Sequence, residues 1–529
     1  MAVRVTRGMV TTPHPTAAQA GLEILRAGGT AVDAAVAAAF TLAVVTPAST
    51  GIAGYGGCLT MSLADPARVV TLAFSCRAPA AAREDMFAVH EDGHGGFTVD
   101  NEANATGPLA VDVPGTVAGL TLAQERFGTL PLADVMQPAI AAARHGFAVD
   151  AWTVLKITET LVPRASRFPE TLRWFSRDGR PPRPGETLAN PDLAAVLEVI
   201  AQKGAAAFYR GEIAHAIVDT VQRAGGILTL DDLAAYTAQE VAPARASYRG
   251  MEAFTPPLPA GGLTVLQMLR VLEGFDIPRS SDADRVHLLV EVAKACWRER
   301  LTRYGDPACV SIDQDAALSQ PLVGTLRGEV EAGLRSPRGG TVVAPDPLLT
   351  GTVHVCTADC RGNVVSLTFT HGGSFGSLVT VPGTGLVLSH GLSRFDPRPG
   401  RPNSIGPRKQ PLHNMSPTLV LSNGRPLLAI GAAGGRTVQS NIFHSLVRLI
   451  DLGDAPEAAV AAVRFHVETA EPVLIEEGGE ALAGDLAQRG HQVQLRPRFG
   501  AVQAIHIGPE PDLVTGVGDP RRAGTVLWV

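Results

Sequence analysis

The sequence lacks an apolar run long enough to cross a membrane. The longest uncharged apolar stretch covers residues 34–45 and ends before Pro47, whereas a bilayer span needs about 20 apolar residues. The first nine residues carry Arg4 and Arg7 and no apolar core of the kind that secretory signals have. We therefore expect no membrane partner and a cytoplasmic protein, or a periplasmic one only if a signal was removed.

The sequence also has few cysteines and only a small net charge, which argues against several classes of site and partner. The six cysteines among 529 residues are too few for a disulfide framework, and the pair Cys356 and Cys360 has no second pair at metal-site spacing. We expect reduced, mostly buried thiols, no metal and no cofactor. The formal net charge of −6 argues against a nucleic-acid partner. The 45% hydrophobic content is typical of a globular protein that can bury a large core.

Hydrophobic periodicity divides the chain into a helical part and a strand-rich part. Two helices are predicted near the start, the second with a capping box at Thr30 and Asp33 and apolar on all sides, which indicates a buried helix. A Gly-rich loop then leads into strands at residues 58–63 and 69–74. Further helices are predicted at residues 116–126, 132–144, 192–202, 212–224 and 283–304.

The second part of the chain begins after a polar segment rich in Gly and Pro. Residues 323–349 have the composition of an exposed, mobile connector. A hairpin is predicted next, with strands at 352–359 and 364–370 around the turn 360–363. More strands follow at 385–388, 417–421 and 426–430, and a helix is predicted at about 437–451.

Two glycine or histidine patterns suggest sites that their context does not support. His90 and His94 match the zinc-protease spacing H-E-x-x-H, which requires a helix, but Asp92-Gly93 is a turn signal, so we interpret the segment as a hairpin tip. The run from Gly431 to Gly435 lacks dinucleotide and P-loop spacing. It is either a tight strand-to-helix turn or an oxyanion site built from backbone N–H groups.

Thr352 is the main candidate nucleophile because it begins a strand directly after Gly351 and the connector. If the chain were cut there, the α-amine of Thr352 could act as general base for its own hydroxyl. Such amines titrate near 7.7–8.0, so part of the population is unprotonated at neutral pH. The alternative is that Thr352 is only a β-forming residue at a strand start.

At these residues the sequence resembles the γ-glutamyltranspeptidase family of N-terminal nucleophile hydrolases. The likeness extends from about Gly8 to Arg521. The segments that carry it are residues 8–14, 20–29, 31–35, 113–119, 261–262, 362–363, 415–418, 434–435, 464–466 and 519–521.

The resemblance implies a four-layer αββα sandwich made from one self-cleaved precursor. Cleavage before Thr352 would give a large subunit of residues 1–351, whose mobile C-terminal part is about 323–351, and a small subunit of 352–529. The two would form one intertwined heterodimer, which could itself dimerise.

The resemblance also implies roles for individual residues. Thr352 corresponds to the threonine that attacks an amide or γ-glutamyl carbonyl, and Thr370 to the threonine that supports it. Gly434 and Gly435 correspond to the glycines of the oxyanion site. His354 matches a family histidine, which by strand alternation shares a face with Thr352.

Departures from the family pattern fall where relatives bind the glutamyl head group. The usual Arg-Glu-x-Ala-Pro is Ser75-Cys76-Arg77-Ala78-Pro79 here, so Arg77 stands two positions from the expected arginine. Arg394, before Phe395, replaces the Asp that receives the α-ammonium. Gly372 replaces an Asn. The family's Ser-Ser pair is His413-Asn414, and the lid segment between 403 and 409 is short, as in the cephalosporin-acylase-like and oxamate-amidohydrolase-like branches.

Charge reversal at Arg394 favours a donor that carries a carboxylate and no α-ammonium. We therefore expect an autoprocessing amidase or acylase for a small acidic acyl amide, such as an oxamate-like or glutaryl-like compound, with water or an amine as acceptor. Its substrate-binding residues would be Arg77, Gly372, Arg394, His413 and Asn414. The alternatives are a genuine γ-glutamyltransferase or glutathione hydrolase, and an uncleaved, non-catalytic paralogue.

Overall fold

Two large sheets stacked face to face form the centre of the molecule. The computed structural model describes residues 3–91, 96–177, 179–277, 281–335, 351–497, 500–510 and 512–529. In spatial order the first seven-stranded sheet of this part contains Thr525–Trp528, Gly8–Thr12, Gly351–Asp359, Val364–Gly372, Gly56–Ala64, Ala67–Ser75 and Gln239–Val241. The second contains Val3–Arg4, Leu513–Gly518, Ala501–Ile507, Arg425–Ala433, Thr418–Ser422, Met251–Thr255 and Ala244–Tyr248.

Strand alternation decides which side chains face the other sheet. In the predicted hairpin, Val353, Val355 and Phe369 face outward into a core shared with helices. The intervening Cys356 and Ala358 face inward and meet residues of the second sheet. This period of two directs the even-numbered positions of the strand that begins at Gly351 into the space between the sheets.

Helices cover the outer face of each sheet. Over the first sheet lie Pro15–Arg26, Ala31–Val45, Thr116–Phe127, Leu132–His145, Pro191–Lys203, Ala205–Arg210, Glu212–Arg223 and Leu230–Ala234. Over the second lie Gly262–Leu272, Asp282–Arg303, Gln320–Arg335, Val438–Ile450, Pro456–Ala461 and Glu480–Gln488. Two short helices, Ala151–Lys156 and Pro169–Phe175, flank the first group. The αββα sandwich expected from the resemblance is therefore confirmed.

Short strand pairs decorate the sandwich. They are Phe147–Ala148 with Thr187–Leu188, Thr380–Val381 with Leu386–Val387, and the three-stranded group Phe465–His466, Val473–Glu476 and Val493–Arg496. A further pair, Val89–Glu91 with Phe97–Val99, forms the hairpin predicted around His90. His94 lies outside the described residues.

The buried helix predicted after Thr30 is confirmed, capping box included. The Thr30 hydroxyl accepts from the Asp33 N–H while the Asp33 carboxylate accepts from the Thr30 N–H at 2.7 Å. Every residue of this helix is buried. Asp33 also accepts from Thr129 and Leu130 N–H groups. These bonds outweigh the cost of burying the carboxylate and hold its pKa below the usual value.

The prediction of a mobile connector is wrong for residues 323–335. Residues 320–335 form a helix, Gln320–Arg335, that packs Val323, Leu326 and Val330 into the outer core. Three glycines give this segment low intrinsic helix propensity, but burial of an apolar face overrides propensity. Residues 336–350 of the predicted connector lie outside the described residues.

Other expectations can be compared directly with the structure. All six cysteines are free, and four of them are buried. Among the described residues no helix has the length and apolar character that a membrane crossing requires. Each large sheet contains strands from both sides of Gly351, so the two segments on either side of that residue share one core.

Candidate active site

The hydroxyl of Thr352 lies against the peptide bond that precedes it. Its Oγ1 is 2.8 Å from the Gly351 carbonyl oxygen, to which it donates, and 3.3 Å from the Thr370 Oγ1. The side chain is buried, with 6% of its surface exposed. A nucleophilic oxygen, a carbonyl and a second hydroxyl are therefore in mutual contact at the start of one strand.

Thr370 connects the nucleophile to the neighbouring strand. Its hydroxyl donates to the Gly351 carbonyl oxygen and accepts from the Gly372 N–H at 2.8 Å. The pairing of the two strands shifts between Gly351 and Val353, which is a bulge of the kind that re-aims side chains at functional sites. The sequence-predicted pair of threonines is thus brought together, with Thr370 hydrogen-bonded to the carbonyl that Thr352 could attack.

The position of Gly434 and Gly435 is set by the strand that precedes them. They follow the second-sheet strand Arg425–Ala433. That strand crosses the hairpin so that Gly431 packs under the His354 ring, and the Ser366 hydroxyl donates to Ile430 at 3.0 Å. Gly434 is three residues beyond Gly431, which packs against His354, and His354 is two residues from Thr352.

The glycine pair has the backbone that an anion-binding turn needs. Gly434 and Gly435 have positive φ angles of 138° and 60°, which residues with side chains rarely adopt. A short 3₁₀ turn and the helix Val438–Ile450 follow directly. The segment is therefore a tight strand-to-helix turn that precedes a helix N-terminus, and its role as an oxyanion site stays a prediction.

Arg394 and His390 surround the turn after Thr370. The Arg394 guanidinium donates to the Gly372 carbonyl oxygen. A side chain at Gly372 or Gly373 would come within 3 Å of the His390 ring. The His390 Nδ1 lies 2.8 Å from the Ala105 carbonyl and donates to it, which leaves Nε2 as an acceptor. Burial, assisted by the Arg394 charge, lowers the pKa of His390 to about 3.

Asp112 fixes the segment that carries both of these residues. Its carboxylate accepts from the Ser389 hydroxyl and lies beside Gly391 and the Cys76 thiol. Burial raises the pKa of Asp112, and the bonds from Cys76, Ser389 and the Gly391 backbone offset only part of that effect. A buried acid thus anchors the turn that presents Arg394.

His413 and Asn414 reach the site through different neighbours. The His413 ring packs edge-on against Tyr55 at 6.0 Å, and Tyr55 precedes Gly56, which pairs with Thr370. Burial, followed by the nearby Arg300 charge, lowers the pKa of His413 to about 3. Asn414 is half-buried, and its side-chain oxygen accepts from Gln439 on the helix that follows the glycine pair.

Arg77 is placed less directly. Its backbone pairs with Val113, and its side chain is half-buried. Within the described ranges its guanidinium makes no hydrogen bond or ion pair, although its charge is felt by Tyr236 and Cys309. No hydrogen bond or ion pair between described residues joins Arg77 to Thr352, so its substrate-binding role stays a prediction.

His354 is a packing residue between the sheets. Its Nδ1 is 2.8 Å from the Thr368 hydroxyl, its ring leaves no room for a side chain at Gly431, and burial lowers its pKa to about 3. Sequence reasoning missed His390 and Asp112. Both adjoin motifs that carry the resemblance or its departures, but only the fold shows that residues so far apart in sequence meet.

Among the described residues, no group of three metal-ligating side chains lies at Thr352. The one group of three ligating side chains found in this part of the chain is His287, Glu291 and His491, on the outer side of the second sheet. There the Lys294 ammonium already donates to Glu291 at 2.9 Å. The geometry at Thr352 instead suits acyl transfer to a hydroxyl, with nearby donors for a developing oxyanion.

Comparison with known proteins gives matches along nearly the whole chain. The family described as gamma-glutamyltranspeptidase matches residues 17–529. The acylase ACY 1 proenzyme of Pseudomonas sp. (strain SE83) is 38% identical over 530 residues, which cover 99% of this chain and 94% of that protein. The glutathione hydrolase proenzyme of Escherichia coli (strain K12) is 33% identical, covering 98% and 91%.

Solved structures of an acylase and of a transpeptidase also match this chain. The crystal structure of cephalosporin acylase from Bacillus halodurans matches with a TM-score of 0.89 at 29% identity, covering 100% of this chain and 97% of that chain. The Helicobacter pylori gamma-glutamyltranspeptidase structure matches with a TM-score of 0.55 at 31% identity, covering 63% of this chain and 92% of the other.

Proposed function

The chain belongs to the γ-glutamyltranspeptidase family and is an enzyme of its acylase and hydrolase class, and on that basis we propose a specific activity. It is an autoprocessing N-terminal threonine amidohydrolase that cleaves the amide of a small acidic acyl donor. The observation that carries this proposal is the contact of the Thr352 hydroxyl with the Gly351 carbonyl and with Thr370.

Self-cleavage is the first step. The Thr352 oxygen attacks the Gly351 carbonyl carbon, the C–N bond breaks, and the proton from the hydroxyl ends on the released amine. The resulting ester between Gly351 and Thr352 is then hydrolysed by water. The Thr370 hydroxyl donates to the oxygen that becomes negative during attack, which lowers the barrier.

Turnover reuses the same oxygen. The freed α-amine of Thr352 accepts the hydroxyl proton as the oxygen attacks the donor's amide carbonyl, and it returns that proton to the departing amine. Water then hydrolyses the acyl-enzyme. We assign the oxyanion of both steps to the backbone N–H groups at Gly434 and Gly435, because both glycines have positive φ angles and their turn precedes a helix N-terminus.

Arg394 supports an acidic acyl group without an α-ammonium. Its guanidinium is hydrogen-bonded at Gly372, two residues beyond Thr370. The adjacent His390 stays neutral because its pKa is about 3. The fixed positive charge therefore attracts a carboxylate and repels an ammonium. The 38% identity with acylase ACY 1 proenzymes favours the same conclusion.

Two alternatives remain distinct. The 33% identity with a glutathione hydrolase favours γ-glutamyl transfer or hydrolysis as the second candidate. In the other, the chain is never cut and serves as a non-catalytic paralogue. This last alternative requires a single 55.1 kDa polypeptide after long incubation, with the same appearance in Thr352→Ala.

A substrate panel tests the proposal. Purified protein is given glutaryl, oxamyl and γ-glutamyl amides of the same chromogenic amine, and kcat/KM is measured for each. We expect the glutaryl or oxamyl compound to exceed the γ-glutamyl compound at least tenfold. Preference for the γ-glutamyl compound by orders of magnitude would overturn the assignment of Arg394 and favour the second candidate.

A further inference from the structure

A cleft opens between the two large sheets, at the end of the strand Gly351–Asp359 that is opposite Thr352. Its volume is about 770 Å³, and its lining includes Asp359, the last residue of the strand that begins at Gly351. Seven residues of extended strand separate Thr352 from Asp359, which corresponds to about 23 Å. The cleft is therefore separate from the candidate active site.

The floor of this cleft is apolar. Phe254, Val364, Leu421 and Ile507 line it, and all four belong to the core that holds the two sheets together. Pro243 and Pro426 form parts of its walls. The interior of the sandwich thus ends in a concave surface suited to an aliphatic chain.

The rim of the cleft is strongly basic. Arg68, Arg245, Arg361 and Arg425 line it, and together with the apolar floor they define what we call the arginine-rimmed cleft. Arg68 lies 3.5 Å from Glu240, and Arg361 donates to the Gly28 carbonyl. Arg245 and Arg425 are exposed and make no hydrogen bond or ion pair within the described ranges.

No lining carboxylate compensates these charges. Asp359 is the only acidic residue among those that line the cleft. Its side chain is 4% exposed, and it already accepts from the Ala31 N–H, the Arg361 N–H and Asn363. A local excess of positive charge beside an apolar floor, in a chain whose net charge is −6, calls for an amphiphilic anion.

We propose that the arginine-rimmed cleft binds a fatty-acid-like carboxylate. The head group lies at the rim, where the positive charges of Arg245 and Arg425 attract it and either guanidinium group can bind a carboxylate through two parallel hydrogen bonds. The aliphatic chain lies against Phe254, Leu421 and Ile507, where it loses contact with water. A short anion would lack the second contribution, and a neutral chain would lack the first.

Calorimetric titration of the full protein with decanoate, below its micelle concentration, tests this proposal. We expect one saturable site per chain. Butyrate and decanol should each bind at least tenfold more weakly than decanoate. Butyrate keeps the carboxylate but lacks the long aliphatic chain, and decanol keeps the chain but lacks the charge. Butyrate binding as tight as decanoate binding would reduce the site to a simple anion patch and overturn the proposal.

Variants locate the bound molecule. Arg245→Glu/Arg425→Glu should weaken decanoate binding at least tenfold while leaving amide turnover unchanged. The control Arg223→Glu/Arg335→Glu makes the same charge change at side chains that are 81% and 75% exposed on helices outside the cleft, and it should alter binding less than twofold. Equal binding by the wild type and the first variant would contradict the assignment.

Arg394→Ala separates this site from the candidate active site. Because Arg394 is outside the cleft, the variant should bind decanoate as the wild type does. Loss of binding in Arg394→Ala would show that the fatty acid occupies the region of Thr352, and the proposal would fail. The binding outcomes do not depend on whether the proposed amidohydrolase activity is correct, and only the turnover of the Arg245→Glu/Arg425→Glu variant does.

Discussion

Two buried polar clusters of this chain differ in how completely their side chains are hydrogen-bonded. Near Thr352, the His390 Nε2 and the His413 Nδ1 have no hydrogen-bond partner among the described residues. On the outer side of the second sheet, Lys294 donates to Glu291 and Glu471, and His491 bonds both Glu471 and His287. Most buried polar atoms in proteins are hydrogen-bonded, so these two histidine nitrogens are places where a ligand or water can bind.

The difference indicates separate purposes. The Lys294 cluster joins the helix Asp282–Arg303 to the residues around Glu471 and His491, so it connects distant parts of the chain with opposite charges. The group near Thr352 instead keeps His390 neutral beside the Arg394 cation. We therefore expect substitutions in the Lys294 cluster to affect folding and substitutions near Thr352 to affect catalysis.

The largest expected effect is that of Thr352→Ala. Removing the hydroxyl removes the nucleophile of both cleavage and turnover, so the chain should stay intact and kcat should fall at least about a thousandfold. Denaturing electrophoresis and a turnover assay measure both. Thr352→Ser retains a hydroxyl and should still be cleaved, although more slowly. Full turnover by Thr352→Ala would remove the chemical role from this cluster.

Glu471→Ala should destabilise the fold by about 3–5 kcal/mol, because it leaves Lys294 and His491 buried without one of their partners. Urea denaturation measures this change, and turnover per folded molecule should stay near the wild-type value. Asp219→Ala removes an exposed partner of Arg223 and serves as the matched control, with an expected effect below about 1 kcal/mol. Equal effects of the two changes would erase the contrast between the clusters.

Arg394→Asp should act on specificity and leave stability nearly unchanged. Loss of a charge-assisted hydrogen bond to the donor carboxylate corresponds to about 1.5–3 kcal/mol, or roughly ten- to hundredfold in KM for a glutaryl amide. The introduced carboxylate should improve the relative kcat/KM of a γ-glutamyl amide. An unchanged ratio of the two substrates would show that Arg394 does not contact the acyl group.

The last expected effect is a change in the pH dependence of stability. His390 and His413 have folded pKa values of about 3, below the unfolded value of about 6.5. Between these values the unfolded chain binds more protons, so stability is complete above pH 6.5 and is lost as pH falls below it. Each histidine contributes a slope of about 1.4 kcal/mol per pH unit.

Thermal melts between pH 7 and pH 5 measure this slope. His413→Gln should flatten the decline of Tm, because glutamine does not titrate. Glu471 behaves differently, since hydrogen bonds from His491 and Lys294 hold its pKa below the ordinary value despite burial. Its contribution is present above the unfolded carboxylate pKa and is lost only in stronger acid. A Tm decline in His413→Gln equal to that of the wild type would contradict the assignment.

Local patterns predicted most of the fold because their signals lie close together in the sequence. The hairpin around residues 360–363, the capping box at Thr30 and the helix after Gly435 each depend on neighbouring residues. The helix Gln320–Arg335 was missed because its glycines are unfavourable locally. At Gly333 a side chain would displace the Glu291 carboxylate from its present position.

The candidate site was only partly predictable for a related reason. Thr352, Thr370 and the glycine pair belong to recognisable motifs, and the structure brings the two threonines into contact. The anchoring of Arg394 involves Asp112 and Ser389, which are 277 positions apart in the chain. No spacing rule links such residues, because their contact exists only after the sheets have assembled.

The central claim is that cutting the bond between Gly351 and Thr352 creates the catalytic group. Intact mass and N-terminal sequencing of the active protein, combined with turnover measured on the same sample, test it most directly. The account predicts two fragments, of about two thirds and one third of the 55.1 kDa chain, with the smaller beginning at Thr352. A single uncut chain with full turnover would contradict it.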